Sequence, residues 1–122
     1  MSRTERWEIR LCGPVTVDAG GRRVEQSLPG RQGRLLLAFL IRHRDRGCSR
    51  SELIDALWPE HPPAAADVAL SALLSKLRRA LGEGVLSGRT ELRLELDGEV
   101  VVDVEQAEAE AALAEAALER GE

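Results

Sequence analysis

The chain has 122 residues, of which 43% are hydrophobic and 31% are charged. This balance favours a folded domain with one modest core over a disordered chain. Only Trp7, Phe39 and Trp58 are aromatic, which argues against a base-stacking platform for single-stranded nucleic acid. The two cysteines, Cys12 and Cys48, are too few for a disulfide framework and predict buried or half-buried thiols.

The formal net charge of −4 combines two unlike segments. Residues 1–96 hold 16 basic and 12 acidic side chains, whereas residues 97–122 hold one basic and nine acidic side chains. A basic body followed by an acidic tail is compatible with nucleic-acid binding. The change in charge predicts a first domain at residues 1–98 and a second unit at residues 99–122.

The chain shows no membrane or export signal. Its longest apolar run, at residues 35–41, has seven residues, whereas a membrane span needs about 18. The N-terminal residues lead into an alternating pattern and not into the apolar core of a signal peptide. We therefore expect a cytoplasmic protein with no membrane partner.

The N-terminal part alternates apolar and polar residues, which predicts half-buried strands at residues 7–11 and 15–17. A turn at residues 18–21 precedes a third short strand around Arg23-Val24-Glu25. Together these strands predict an antiparallel β-meander, which ends at Pro29-Gly30.

Two helices are predicted after the meander. A leucine-rich run at residues 35–41, followed by arginines and stopped by Gly47, predicts a buried helix of about 12 residues. Ser49 and Glu52 have the spacing of a capping box, which indicates the start of a second, short helix. Pro59 ends that helix.

A third and longer helix is predicted at residues 64–81. At about 100° per residue, one face forms an apolar row that is expected to be buried. This row consists of Ala66, Leu70, Leu74, Leu77 and Leu81. The opposite face holds Ala65, Val68, Ala72, Ser75 and Arg79, with Ala69 and Lys76 beside it.

The segment after the third helix predicts a β-hairpin. Residues 85–87 and the strictly alternating residues 92–96 flank a turn at residues 88–91. Residues 100–104 predict one more short strand. From Glu105 to Arg120 the chain is rich in Ala and Glu, which predicts a helix with too thin an apolar stripe to stand alone.

Strands, three helices and a hairpin, in this order, indicate an α+β fold of the winged helix-turn-helix type, with a C-terminal helix added. The short second helix, a loop that contains prolines and a third helix with a basic second half form the helix-turn-helix. A helix with a buried leucine row presents its other face to a DNA groove of similar width.

Several segments carry a resemblance to a known family, and they include Arg31-Gln32 before the leucine run and Pro62-Pro63. Residues 9–15 read Ile-Arg-Leu-Cys-Gly-Pro-Val, residues 49–58 read Ser-Arg-Ser-Glu-Leu-Ile-Asp-Ala-Leu-Trp, and residues 74–82 read Leu-Ser-Lys-Leu-Arg-Arg-Ala-Leu-Gly. With them the chain resembles the OmpR/PhoB-type winged-helix DNA-binding domain of SARP-type bacterial transcriptional regulators. Residues 102–107 resemble the opening of the bacterial transcriptional activator domain, a bundle of tetratricopeptide-like helices. We therefore expect the chain to be cut just inside that second domain.

The resemblance implies the DNA-binding domain of a bacterial transcriptional regulator, with the third helix in the major groove and the hairpin wing at the minor groove. It implies base contacts from Val68, Ala69, Ala72 and Lys76. It implies phosphate contacts from Trp58, Ser75, Arg78 and Arg79. The implied wing residues are Arg89, Thr90 and Arg93.

Double-stranded DNA is the implied partner, and the loop from Pro59 to Pro63 matches a segment that contacts RNA polymerase in this family. Lys76 is the strongest candidate for reading a base, because valine and alanine cannot make bidentate hydrogen bonds. Asp67 and Glu91 bring negative charge to the same surface. We therefore expect weak intrinsic specificity, and affinity that depends on a homodimer or another partner.

The apolar outer face of the third helix leaves an alternative open, a winged-helix protein-interaction or regulatory module that has lost DNA binding. An enzyme is not expected, because no nucleophile–base pair can be recognised in the sequence. His43 and His61 are isolated, so no metal ligand set is predicted. No cofactor is expected either, since Gly30-Arg31-Gln32-Gly33 lacks the glycines and the lysine of a phosphate-binding loop.

Overall fold

The computed structural model describes residues 6–28 and 30–121. Pro29 and the outer ends of the two predicted domains therefore lie outside the described residues. The chain divides into two compact units, of which one joins the segment up to Arg22 with the segment from Asp97, and the other is Arg23–Leu96. None of the described helices combines the length and the apolar character needed to cross a membrane.

The strands are β1 (Arg6–Arg10), β2 (Thr16–Ala19), β3 (Arg22–Arg23), β4 (Cys48–Ser49), β5 (Leu86–Ser87), β6 (Glu91–Leu94) and β7 (Glu99–Val102). The α-helices are α1 (Gly30–Arg42), α2 (Arg50–Leu57), α3 (Ala66–Leu81) and α4 (Asp103–Glu119). A 3₁₀ turn lies at Val24–Ser27.

The first unit is built on a four-stranded sheet in the order β3-β2-β1-β7. β1 and β2 are antiparallel, as the meander predicted, and the apolar residues of their alternating pattern are buried. β7 confirms the strand predicted at residues 100–104 only in its first part, because Asp103 and Val104 belong to α4. β7 pairs parallel to β1, with Trp7 opposite Val100 and Ile9 opposite Val102, which the local pattern did not predict.

The third predicted strand is wrong in its second half. β3 ends at Arg23, and Val24 and Glu25 belong to the 3₁₀ turn. The N–H of Leu28 donates to the carbonyl oxygen of Glu25 at 3.1 Å, which closes that turn. Val24 is fully buried in the second unit, so burial at this position favours the turn over a longer strand.

α4 is fixed to β1 at its first residue. The N–H groups of Leu11 and Cys12 donate to the two carboxylate oxygens of Asp103, at 2.8 and 3.2 Å. These backbone hydrogen bonds, with that of Leu11 foremost, lower the pKa of Asp103. Cys12 is exposed at this junction, so the prediction of a buried thiol is wrong for Cys12 and confirmed for Cys48.

The second unit packs α1, α2 and α3 against one another and against a three-stranded sheet in the order β4-β6-β5. Its core is aliphatic, because the chain has so few aromatic residues. The fully buried side chains include Val24, Leu36, Leu37, Leu40, Ile41, Leu53, Leu70, Leu74, Leu77, Leu81 and Leu92. Each such side chain contributes roughly 1.5–3 kcal/mol when it leaves water, so the three helices hold fixed positions.

The start of α2 confirms the predicted capping box. Ser49 accepts the N–H of Glu52 at 3.1 Å through its hydroxyl oxygen. Arg46 donates to the carboxylate of Glu52, with 2.5 Å between Nη2 and Oε2. The ion pair with Arg46, and then the backbone N–H of Ser49, lower the pKa of Glu52.

α3 begins two residues later than predicted. The N–H of Ala66 donates to the carbonyl oxygen of Pro63 at 3.1 Å, which makes residues 64 and 65 part of a turn. Ala65 supplies no side-chain cap. Pro62 and Pro63 disfavour helical backbone at the residues that precede them, 61 and 62, so α3 begins only after this segment.

Candidate nucleic-acid interface

α3 separates a buried face from an open one. Its buried residues are Leu70, Leu74, Leu77, Ala80 and Leu81. The predicted inner row is confirmed at its leucines, whereas Ala66 is only half-buried. The outer face of α3, which we define as Val68, Ala72, Ser75, Lys76 and Arg79, is exposed at every position.

The four residues predicted to contact bases lie along this helix in the expected orientation. Val68 is 69% exposed, Ala72 and Lys76 are exposed, and Ala69 is half-buried. The apolar three offer methyl groups, and Lys76 offers three N–H donors. The fold therefore brings Val68, Ala72 and Lys76 to one accessible surface, and Lys76 is the cation among the four residues predicted to contact bases.

The residues predicted to contact phosphates differ in exposure. Ser75 and Arg79 are exposed, whereas Arg78 and Trp58 are half-buried. Nη2 of Arg78 donates to the carbonyl oxygen of Gly88 at 2.5 Å, so this side chain links α3 to the hairpin. Trp58 caps the C-terminus of α2, where its N–H donates to the carbonyl oxygen of Ile54 at 2.9 Å.

The wing is the hairpin formed by β5 and β6, with Leu86 paired to Leu94. Its turn requires glycine at residue 88, because a Cβ there would lie 1.8 Å from the carbonyl oxygen of Glu91. Arg89 and Thr90 are exposed at the tip. Arg93 is exposed too, but its Nε donates to the carbonyl oxygen of Arg44 at 3.3 Å. Arg89 is therefore the more available wing cation.

Asp67 is paired with a cation in the structure, whereas the sequence analysis expected its charge to oppose DNA binding. Nε of Arg50 donates to Oδ1 of Asp67 at 2.7 Å, and Nη2 donates to its carbonyl oxygen at 2.9 Å. Nη2 of Arg50 also donates to Oγ of Ser71 at 2.7 Å. Asp67 is therefore neutralised by a cation from α2.

Sequence reasoning missed Arg50 as a residue of this surface. It lies 17 residues before Asp67, and no periodic pattern connects the two positions. The available signal was indirect. Ser49 as N-cap places Arg50 in the first turn of α2, and a cation there needs a carboxylate elsewhere to offset the helix dipole.

An open cleft of about 290 Å³ lies where α2, α3 and the wing meet. Three arginines and two serines line it above an apolar floor. The lining residues are Arg50, Ser71, Leu74, Ser75, Arg78 and Arg89. The chemistry of this lining favours an anion.

The histidines and cysteines do not form a second candidate site in the described part of the chain. In the described part of the chain, no three His, Cys, Asp or Glu side chains are grouped so that they could hold a metal ion. His43 packs against Phe39, with 4.4 Å between the ring centroids. Burial raises the pKa of the Cys48 thiol, which makes it less reactive.

Together, the exposed third helix, the wing and their cations define a winged-helix domain suited to a nucleic-acid duplex. Comparisons with known proteins agree with this class. Residues 26–90 match the family described as "Transcriptional regulatory protein, C terminal". The chain belongs to this family, and it is the OmpR/PhoB-type DNA-binding domain found in SARP-type bacterial transcriptional regulators.

Two relatives illustrate the match. The regulatory protein AfsR of Streptomyces coelicolor is 41% identical over 76 residues, which cover 62% of this chain and 8% of AfsR. The transcriptional regulatory protein EmbR of Mycobacterium tuberculosis is 33% identical over 88 residues, which cover 72% of this chain and 22% of EmbR. The chain thus spans less than a quarter of these curated relatives.

A solved structure shows the same fold. It is the structure of Mycobacterium tuberculosis EmbR in complex with a low-affinity phosphopeptide, and it matches with a TM-score of 0.62 and 32% sequence identity. The match covers 75% of this chain and 25% of that chain. The predicted winged-helix fold is therefore confirmed.

Proposed function

We propose that this domain binds duplex DNA with α3 in the major groove and the wing at a neighbouring minor groove. The observation that carries the proposal is the uncovered outer face of α3 above a fully buried leucine row. A helix of this kind fits the major groove, which is about 12 Å wide. Arg89 and Thr90 at the wing tip would then reach the minor groove, with Arg93 behind them.

Base contacts are assigned in this proposal to Val68, Ala69, Ala72 and Lys76. Methyl groups of the first three would touch thymine methyl groups, and Lys76 would donate to guanine O6 and N7. Only Lys76 can discriminate by hydrogen bonding. Specificity from one copy is therefore weak, and a homodimer on two half-sites would supply the remainder.

Phosphate contacts are assigned to Ser75, Arg78, Arg79 and Trp58. Ser75 and Arg79 are exposed beside the proposed base-reading residues, which supports their role. The half-buried Arg78 and Trp58 would use only the part of each side chain that remains accessible. These contacts carry affinity and set the register of the protein on the duplex.

The role of the whole protein is also a proposal. We infer a cytoplasmic transcriptional regulator without enzymatic activity of this domain, in which residues 1–98 bind DNA and residues 99–122 open a tetratricopeptide-like activator domain. Exposed Leu113 and Leu118 on α4 support the second part, because further helices would cover them. The exposed loop from Pro59 to Pro63 is free to contact RNA polymerase.

A protein-interaction module is the second candidate, and one observation favours it. Val68 is a large hydrophobic residue that is 69% exposed, and it lies beside Ala72 on a face with few polar groups. Such a patch also suits a protein partner. In that case the domain would keep its fold and lose its affinity for DNA.

Duplex binding measured against salt concentration tests the proposal. We expect log K to fall linearly with log salt, with a slope of about −0.9 for each phosphate contacted. Arg79→Ala should reduce the magnitude of that slope by about 0.9. Lys76→Ala should relax the preference for one base pair in a selection from random duplexes.

Arg10→Ala is the matched control, because it also removes one exposed arginine, lies on β1 and is not among the residues assigned to DNA. It should leave both the slope and the selected sequence close to those of the wild type. Absence of duplex binding at low salt, or promoter occupancy unchanged in both Lys76→Ala and Arg79→Ala, would favour the interaction module.

A further inference from the structure

The cleft between α2, α3 and the wing contains donors that the fold itself does not use. Arg50 donates its Nε hydrogen and both Nη2 hydrogens to Asp67 and Ser71. A guanidinium has five N–H donors, so the two hydrogens of Nη1 remain. Within the described residues, no acceptor contacts them.

The other two arginines have still more capacity. Arg78 donates through Nη2 to Gly88, which leaves Nε and Nη1 without an acceptor among the described residues. Arg89 is exposed at the wing tip and makes no hydrogen bond within the described part of the chain. Ser75 adds an exposed hydroxyl on the α3 side. Three separate elements thus contribute donor-bearing side chains to the lining of one space of about 290 Å³.

The charge of the cleft favours an anion that more than one arginine can contact. Three guanidinium cations face it, and Asp67, the acidic residue that contacts them, is already paired with Arg50. The planar fork of arginine matches the oxygen geometry of phosphate better than a lysine would. Arg50 is also held in place, since its side chain is only 24% exposed.

We propose that this cleft binds one backbone phosphate of duplex DNA, held by Arg50, Arg78 and Arg89. Asp67 acts as a positioning residue, because its carboxylate holds Nε of Arg50 and leaves Nη1 available to an anion. The inference rests on the proposed function, which assigned neither Arg50 nor Asp67 to DNA. It adds a contact from α2 that ties the start of the recognition helix to the backbone.

A phosphate-neutralisation experiment tests the assignment. The probe is the duplex selected with the wild-type protein, prepared as a series in which single phosphates are replaced by methylphosphonates. One replacement should lower wild-type affinity about tenfold, because a charge-assisted hydrogen-bonded contact is lost. Against Arg50→Gln or Arg89→Ala, the same replacement should change the affinity less than twofold.

Two further variants separate positioning from simple charge. Asp67→Asn should weaken duplex binding, because Arg50 loses its fixed orientation, whereas a merely repulsive carboxylate predicts tighter binding. Arg50→Lys should restore only part of the affinity lost in Arg50→Gln, since the charge returns with three N–H donors in place of five. Arg10→Ala is again the control, and it should remain sensitive to the critical methylphosphonate.

Titration with inorganic phosphate distinguishes a free anion from a DNA phosphate. If Arg50→Gln abolishes binding of inorganic phosphate but leaves duplex affinity and its salt slope unchanged, the cleft is a free-anion site and the proposal is overturned. Wild-type affinity in Arg89→Ala, at the exposed wing tip where folding is not at stake, overturns it as well. Failure of the wild-type protein to bind any duplex would instead reject the proposed function.

Discussion

α3 and α4 have nearly the same length, 16 and 17 residues, but they are stabilised in different ways. α3 buries five of its residues, and its apolar side chains recur with the period of the helix. α4 buries none, and its alanines and glutamates are distributed around its axis. Packing therefore holds α3, whereas high helix propensity and one anchored end hold α4.

This difference bears on function. In the proposed complex, α3 must present side chains to a groove without changing its own position, and its buried leucine row would provide that rigidity. α4 is held through the carboxylate of Asp103 at its first residue. Substitutions at Leu77, Asp103, Ser49 and Leu113 test how α3, α4 and the neighbouring α2 are stabilised.

The largest effect is expected for Leu77→Ala in α3. Leu77 is fully buried, so truncation removes apolar burial and leaves a cavity, at a cost of about 2–5 kcal/mol. Urea unfolding followed by far-UV circular dichroism measures the loss. A change smaller than 0.5 kcal/mol, roughly the scale of surface substitutions, would show that the leucine row does not hold α3.

The second effect concerns Asp103, at the anchored end of α4. Its pKa is lowered in the folded protein, so its contribution to stability is complete above its ordinary pKa and is lost as the pH falls toward the folded value. Asp103→Asn should be less stable at neutral pH and should lose less stability on acidification than the wild type. Unfolding is followed by Trp7 fluorescence in a Trp58→Phe background.

Glu110→Gln is the control for that experiment, because it removes an exposed carboxylate from the same helix. It should keep the wild-type dependence on pH. An Asp103→Asn protein whose stability falls with acid as steeply as that of the control would mean that other carboxylates govern the acid response.

The third effect is the loss of the α2 cap. Ser49→Ala removes the acceptor for the N–H of Glu52 and should cost about 1 kcal/mol. Ser51→Ala is the matched control, since Ser51 is exposed in the same helix and makes no cap. Equal unfolding midpoints for the two variants would contradict the capping role of Ser49.

The smallest effect is expected for Leu113→Ala in α4. Leu113 is 71% exposed, so its truncation should change the free energy of unfolding of this chain by less than about 0.5 kcal/mol. Thermal unfolding of the two leucine variants side by side measures the contrast. A large loss in Leu113→Ala would mean that α4 packs on an apolar surface in solution.

The local patterns predicted much of the fold. Helical periodicity predicted which leucines of α3 are buried, the Ser49–Glu52 spacing predicted the start of α2, and strict alternation predicted the buried face of β6. Each of these depends on residues within a few positions of one another. The exposure of the outer face of α3 followed from the same periodicity, whereas its contacts with DNA stay predictions.

The errors arose where distant parts of the chain compete with local preference. Val24 resembles a strand residue, but burial in the second unit places it in a 3₁₀ turn. Cys12 resembles a core residue, but the N–H groups at the end of β1 turn to Asp103, 91 residues away. In both cases a contact far along the chain outweighs β-propensity, which is weak.

Local sequence patterns were sufficient to predict the order of the elements and the two faces of α3, because period and capping are properties of neighbouring residues. Packing of the helices and the wing pairs Arg50 with Asp67 and brings three arginines from α2, α3 and the wing to one cleft, which no local pattern predicted. Charges on separate elements acquire a common function when packing brings them within hydrogen-bonding distance. That distance depends on the path of the whole chain and not on any local pattern.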